Sequence, residues 1–411
     1  MHFIPEIITN ILLFIVLYFE VFILLTYLET REKRNLPPTL LPKQLPSVSI
    51  IVPVWNEEAT ILKTIFSLLK LNYPKDKLSI FIVDDGSLDN TWKVLQRFSR
   101  NSQIKLLKKE NGGKHTALNY ALEFIESDLV GCLDADSFVH PEALKKIVAH
   151  FENDKELFAV TPSIKVHNPK KIIELMQRVE YQWAVLLRNI LSYMNALYVT
   201  PGPFTIFKRN VFKMLGNYKH AYLTEDMEMA MRMQNSGLRI GNAPDAFVYT
   251  VTPQTIRTLY KQRLRWTYGF LRNVIDYKHL FFNRQYGHLG MLVLPTASIS
   301  LVSTVYLVVN TISSWTKSLF TSISQIQTVG FHFAWPQFDF FYFDTSIIFF
   351  LGAVTFIGTF ALVIFARKLS ENKITLSLDL VYFFVLYAFI SPVWITKAIF
   401  NVAFARKTKW R

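Results

Sequence analysis

Two kinds of hydrophobic pattern alternate along this chain. Positions 7–28 are nearly all apolar, long enough to cross roughly 30 Å of hydrocarbon as a helix. Nothing basic precedes this run and no small-residue cleavage site follows it, so it reads as an anchor and not a signal peptide. Further apolar runs cover positions 289–309, 346–366 and 376–404. Between the first two, residues 47–252 carry short β-branched runs that alternate with amphipathic stretches. Strands are predicted at 47–54, 78–83, 104–107 and 129–133, and helices at 57–70, 89–99 and 114–126, with Asp89-Asn90-Thr91 as capping residues. Strand–helix alternation at this spacing predicts an α/β fold: a mostly parallel sheet with helices on both faces. Two more helices are predicted at 224–235 and 255–277.

The charges flanking the apolar runs orient them. Arg31, Lys33 and Arg34 follow the first, which puts residues 31 onward in the cytoplasm and the N-terminus outside. Arg367, Lys368 and Lys373 mark a second cytoplasmic flank. Pro392 divides the last run, which reads as a bent hairpin or a partly interfacial segment. Either returns Arg406, Lys407, Lys409 and Arg411 to the cytoplasm. Residues 311–342, around Trp315 and Trp335, read as an external interfacial loop. Glu20, in mid-span, is a functional candidate by position, although a carboxyl facing a neighbouring helix or simply protonated is the blander reading. The resulting organisation is a transmembrane helix (1–30), a cytoplasmic α/β domain (31–252), amphipathic interface helices (253–285) and a membrane domain (286–411).

Composition narrows the function. Across 411 residues, 51 % are hydrophobic and only 18 % charged, with a net charge of +14. Disorder and low complexity are excluded. The single cysteine, Cys132, excludes a disulfide-stapled domain. The basic excess gathers at membrane flanks and within 257–272, which suits membrane lipids and not nucleic acid.

Candidate chemistry sits at strand ends. The first strand runs into Asn56-Glu57-Glu58, the second into Asp84-Asp85-Gly86 and the fourth into Asp134-Ala135-Asp136. In open α/β sheets ligands bind outside the carboxyl ends of the strands. Carboxylates gathered there repel one another unless a cation or ligand compensates. Asp134 and Asp136, two apart, can converge on one hard cation beside a diphosphate. Neither GxGxxG nor GxxxxGK[ST] occurs, so no dinucleotide fingerprint or ATPase phosphate loop is indicated. In Asn111-Gly112-Gly113-Lys114 the lysine opens a helix, either as a solvated residue or as a diphosphate contact. Asp226 of Thr224-Glu225-Asp226 is an ordinary helix-start carboxylate unless other motifs join it. In Gln262-Arg263-Leu264-Arg265-Trp266, residues Gln262, Arg265 and Trp266 share one helix face. By itself this is a basic amphipathic helix on a membrane, with Arg263 and Arg272 as surface charges. Alternatively, Arg265 binds phosphate and Trp266 offers a platform to a sugar ring.

In order, VPVWNEE (52–58), VDDGS (83–87), GGK (112–114), DAD (134–136), TED (224–226) and QRLRW (262–266) resemble glycosyltransferase family two. More narrowly, they resemble its membrane-embedded processive synthases of the poly-N-acetylglucosamine, hyaluronan and chitin type, over roughly residues 47–290. The resemblance implies a GT-A, Rossmann-like cytoplasmic domain joined to an α-helical membrane domain in the plasma membrane. It implies an inverting, metal-dependent hexosyltransferase that polymerises a UDP-sugar, best read as UDP-GlcNAc, into a β-linked polysaccharide extruded through its own membrane segments. The alternative is transfer of one sugar to a membrane lipid acceptor. Glu57, Asp84 and Asp85 would hold the uridine, and Lys114 and Asp134 the UDP-sugar. Asp136, with Asp134, would ligate Mg²⁺ or Mn²⁺. Asp226 would be the catalytic base beside Glu225. Gln262, Arg265 and Trp266 would shape the channel mouth, and Gly202 would mark the acceptor-contacting strand, here flanked by unusual prolines. The growing polysaccharide is then a partner, with room for a small accessory membrane subunit.

Overall fold

The computed structural model describes residues 3–30, 41–42, 44–330 and 346–404. The expectations resting on Arg31, Lys33, Arg34, Trp335, Arg406, Lys407, Lys409 and Arg411 lie outside the described residues. Among the described residues, β1 (Val48–Val54), β2 (Leu78–Asp85), β3 (Ile104–Lys109), β4 (Leu129–Cys132), β5 (Ser137–Val139), β6 (Leu157–Val166), β7 (Ile206–Lys208) and β8 (Arg239–Thr250) form one sheet. Its order is β3-β2-β1-β4-β7-β6-β8-β5.

Strand residues alternate between two cores as the pleat requires. Ile50, Val52 and Val54 of β1 and Ile80 and Ile82 of β2 enter one. Ile51 of β1 and Phe81 and Val83 of β2 enter the other. The first core is closed by α2 (Ile61–Leu69) and α5 (Ala143–Asn153). The second is closed by α4 (Lys114–Leu122), α7 (Asn210–Leu215), α8 (Glu225–Asn235) and α9 (Ile256–Asp276). The short α3 (Thr91–Leu95) follows β2, and α6 (Ile172–Tyr193) bridges the block to the membrane helices.

The mostly parallel expectation holds, in β3-β2-β1-β4 and again in the β6–β8 pair, and short antiparallel pairings beyond β4 make the sheet mixed. β7 runs antiparallel to β4 and β6, and β5 antiparallel to β8. The cause is local. The segment before β7 arrives at the carboxyl end of β4, where the Phe204 amide donates to the Cys132 carbonyl (2.6 Å). The chain can join the sheet there only by running back along β4. Because β1 leads to β2 on one side and β4 on the other, the order reverses between β1 and β4, and this crevice is where α/β sheets take ligands.

Among the described residues, four helices are long and apolar enough to cross a membrane: α1 (Phe3–Glu29), α10 (Leu294–Val329), α11 (Ile347–Glu371) and α12 (Leu378–Ala403). The loop expected from position 311 is helix as far as Val329, so α10 is a single 36-residue element. Serines, threonines and Lys317 break its hydropathy, but no Gly or Pro lies between Thr296 and Val329. Gly330, at φ 82°, ends it. The hairpin expected at Pro392 is likewise corrected, since α12 is continuous through it. α12 packs along α6 and α9, while Val381, Val385, Phe389 and Val393 form an outward apolar stripe.

Arg367 is not a lipid-flank charge. It is 1 % exposed and pairs with Asp379 (2.7 Å), also donating to the Thr375 carbonyl and Ser377 Oγ (both 2.7 Å). Its guanidinium thus staples the α11–α12 turn. Glu20 follows the blander reading: it is buried against α11, where the Thr359 hydroxyl donates to it and Gly358 makes room for it.

Candidate active site

The carboxyl ends of the neighbouring strands β2, β1 and β4 carry their acidic residues to one end of the sheet, at and beside the β1/β4 crevice. Asp84, fully buried, accepts from the Ser87 amide (3.1 Å) and lies 4.0 Å from Lys108, but its Oδ2 has no hydrogen-bond partner. Asp85 is occupied. It accepts from Lys109 Nζ (2.8 Å) and from the amides of Gly112 (3.1 Å) and Gly113 (2.8 Å), so it holds the glycine loop that opens α4. Glu57 accepts from the Thr60 hydroxyl (2.7 Å), while its amide donates to Thr91 (2.9 Å).

Lys114, at the start of α4, ties three segments together. Its ammonium is 2.6 Å from Asp134 and 3.2 Å from Glu225. Burial alone would lower the lysine's pKa, but these two carboxylates outweigh it and hold it well above its ordinary range. Gly202 backs onto the pair. A β-carbon there would stand 2.7 Å from Lys114 Nζ and 3.2 Å from both Asp134 oxygens, so any side chain would enter the ion pair.

Burial first, then Asp134 and Glu57, push the Asp136 carboxyl up to about 7. Asp226, beside Glu225 at the start of α8, is raised to about 6 by burial and then by Glu225. Its Oδ1 accepts from the Met227 amide (2.9 Å). Among the described residues no three His, Cys, Asp or Glu side chains converge as a ready-made metal site. The oxygen-only pair Asp134/Asp136 does fit a hard cation whose remaining positions come from diphosphate and water, because each carboxylate there raises the need for positive charge.

The QRLRW helix is joined to this cluster from within. Gly269 of α9 lets Thr224 approach so closely that a β-carbon would sit 2.4 Å from its hydroxyl. Asn273 Nδ2 donates to that same hydroxyl (2.9 Å). Gln262, Arg265 and Trp266 are half-buried on α9. The expectation that Arg263 is a surface charge is corrected, whereas Arg272 is half-exposed. Arg263, 3 % exposed, bonds Glu180 of α6 (2.7 Å) and Gln262 Oε1 (2.7 Å) and lies 4.2 Å from the Trp266 ring centroid. Arg272 donates to the Tyr222 hydroxyl (3.3 Å) and lies over its ring.

Sequence reasoning missed the α6 contribution. Glu180 anchors Arg263, and half-buried Tyr181 lies where Arg263, Glu180 and Asp136 all bear on its hydroxyl, which is raised to about 12 chiefly by desolvation. A polar Glu-Tyr pair inside an amphipathic stretch was the available signal. His115 and His220 meet edge to face at 5.1 Å beside Lys114, and burial followed by His220 keeps His115 below its usual range.

This mixed sheet, with its acidic strand ends, defines a Rossmann-like GT-A fold. The solved mannosyltransferase PcManGT from Pyrobaculum calidifontis, in complex with GDP-Man and Mn²⁺, shares the fold at TM-score 0.55 and 20 % identity, covering 89 % of this chain and 99 % of that one. Residues 46–269 match the family model described as glycosyltransferase like family 2, and the chain belongs to that family. The poly-β-1,6-N-acetyl-D-glucosamine synthase of Staphylococcus aureus is 30 % identical over 243 residues, 59 % of this chain and 58 % of that protein. The synthase of Staphylococcus epidermidis is 31 % identical over 229 residues, 55 % of each. The match thus spans little more than half the length of these curated relatives.

Proposed function

We propose that the protein is a processive, inverting glycosyltransferase that polymerises a UDP-sugar, best read as UDP-GlcNAc, into a β-linked polysaccharide and passes it outward between its membrane helices. The observation that carries this reading is the grip of Gly269 and Asn273 on Thr224. It joins the helix bearing the acceptor platform to the helix bearing the base, both beside the strand-end carboxylates. The relatives' activity supports the polymer and the N-acetylglucosamine unit.

Asp84 Oδ2, which accepts no hydrogen bond, suits the imide N–H of uracil, since a buried acceptor without a hydrogen bond is costly. Asp85 acts through the glycine loop. Lys114 is available to the donor diphosphate, and Asp134 and Asp136 would hold Mg²⁺ or Mn²⁺. When bound, that cation would neutralise charge growing on the leaving diphosphate. Asp226 takes the proton from an acceptor hydroxyl, whose oxygen attacks the anomeric carbon as the bond to UDP breaks. General-base help of this kind is typically worth about 10²–10⁴-fold. One displacement inverts the centre, so an α-linked donor gives a β-linkage. Trp266 and Arg265 orient the acceptor. The organisation proposed is an anchor (1–30), a cytoplasmic transferase domain (31–252), interface helices (253–285) and a membrane domain (286–411), with the N-terminus outside. The packing of α12 along α6 and α9 supports an interfacial course for that helix.

The test uses purified protein with Mg²⁺ or Mn²⁺ and radiolabelled UDP-GlcNAc, UDP-glucose or UDP-glucuronate. A ladder or high-mass product from one donor is expected. Label confined to a lipid, one sugar per acceptor, overturns the polymer reading.

A further inference from the structure

A run of left-handed backbone lies just ahead of the candidate base. Ala221, Tyr222 and Leu223 have φ of 40°, 55° and 67°, three in succession with no glycine among them. Elsewhere among the described residues, positive-φ residues other than glycine stand singly, and most are asparagine. Asparagine tolerates this region, whereas alanine, tyrosine and leucine bring the β-carbon too close to the following carbonyl. Three such residues together persist only where the surroundings over-determine them.

The restraints come from the turn itself and from the helices beside it. The Leu223 amide donates to the His220 carbonyl (3.0 Å), and the Thr224 amide and hydroxyl donate to the Ala221 carbonyl (3.0 and 2.9 Å). At one end the His220 ring meets His115, the residue after Lys114 on α4. In the middle, Tyr222 is held by α9. The Arg272 guanidinium lies 4.8 Å from its ring centroid and donates to its hydroxyl (3.3 Å), while the Tyr268 ring meets it edge to face at 6.3 Å. Arg265, Tyr268 and Arg272 are spaced by three and four, so they share one face of α9. The grip of Gly269 and Asn273 on Thr224 fixes the first residue of the helix cap but leaves the three residues before it unheld. Arg272 and Tyr268 hold them. A cation serving only the membrane surface would extend from the helix; this one is folded over a tyrosine two residues before the cap.

We propose that Arg272 and Tyr222 are positioning residues for the transfer reaction, clamping the left-handed turn 221–223 to α9 so that Asp226, at the start of α8, stands in register with the face that carries Arg265. This rests on Asp226 as the base, as proposed above, and adds a control on where that base stands. Without the clamp, the turn relaxes towards right-handed backbone and the start of α8 turns with it.

The experiment uses the full-length protein in detergent with whichever labelled donor it turns over among UDP-GlcNAc, UDP-glucose and UDP-glucuronate. Arg272→Gln should lower kcat about tenfold, the worth of one lost charged hydrogen bond, while the donor KM and UDP affinity stay put. Arg272→Lys, which keeps a cation over the ring, should recover part of the loss. So should Ala221→Gly added to Arg272→Gln, because glycine adopts a left-handed φ without help; a side chain that touched substrate would gain nothing from it. Unchanged kcat in Arg272→Gln, a raised donor KM, or no rescue by the glycine overturns the proposal. Amide hydrogen exchange reads the clamp without activity. The Leu223 and Thr224 amides should exchange faster in Arg272→Gln than in the wild type, and equal exchange overturns the clamp even in an active transferase. A wild type that transfers no sugar from any donor, whatever its exchange, overturns the transferase reading and the positioning role with it.

Discussion

Lys114 lies 2.6 Å from Asp134, and this contact closes the crevice between the start of α4 and the end of β4. The lysine occupies a carboxylate that is also a candidate cation ligand, so donor, cation and lysine share one account of charge. Lys114→Met should cut kcat/KM about 10²–10³-fold, as loss of one preorganised electrostatic contact does. It should also lower the cation concentration needed for half-maximal rate, because Asp134 is released. Initial rates against Mn²⁺ concentration check both; an unchanged cation requirement removes Asp134 from the ligand set.

Asp226→Asn should bind UDP as the wild type does and lose about 10²–10⁴-fold in turnover. With the wild-type carboxyl raised to about 6, the acid limb of the rate profile should rise through that pH as the base loses its proton. An acid limb in the ordinary carboxylate range, or retained turnover in the variant, would take the base role from Asp226.

Asp136, raised to about 7, binds a proton more tightly in the folded chain than in the unfolded one. Folding stability from this group is therefore greatest at low pH and is lost as pH rises from the ordinary carboxylate value to about 7. A divalent cation competes with that proton. Added Mn²⁺ should raise the melting temperature more at pH 8 than at pH 6 in thermal unfolding of the purified protein. The reverse order would exclude Asp136 as a ligand.

Arg263 and Glu180 form an ion pair enclosed between α9 and α6 (2.7 Å). Arg263→Ala leaves Glu180 without its cation, a loss of about 3–5 kcal/mol for pairs of this kind, and frees the Trp266 ring. The expected outcome is weaker acceptor use with UDP affinity preserved, measured by primer titration alongside UDP binding. The charge swap Arg263→Glu with Glu180→Arg should recover stability but not acceptor use, because no cation then sits over Trp266.

Much of the crevice was legible before any coordinates. Strand ends announce themselves where β-branched runs stop at carboxylates, and Asp84, Asp134 and Asp136 do gather at one end of one sheet. Lys114 and Gly202 also come together there, although nothing in their spacing could show that they touch. The second half of the sheet was not legible. β7 is three residues long and runs backward because of where its connection arrives, a tertiary fact. The extent of α10 was misread because hydropathy and helix propensity part company after position 310. Arg263 and Arg367 looked like surface charges because sequence shows a cation but not the carboxylate from another helix that lets it be buried.

The meeting of Thr224 with Gly269 has a consequence for inheritance. The two positions lie 45 residues apart, yet neither can drift alone, since even alanine at 269 would crowd the threonine. Descendants of this chain should therefore change them together, a smaller residue at 224 arriving with any larger one at 269. A lineage that broke the match would have to rebuild base and platform at once.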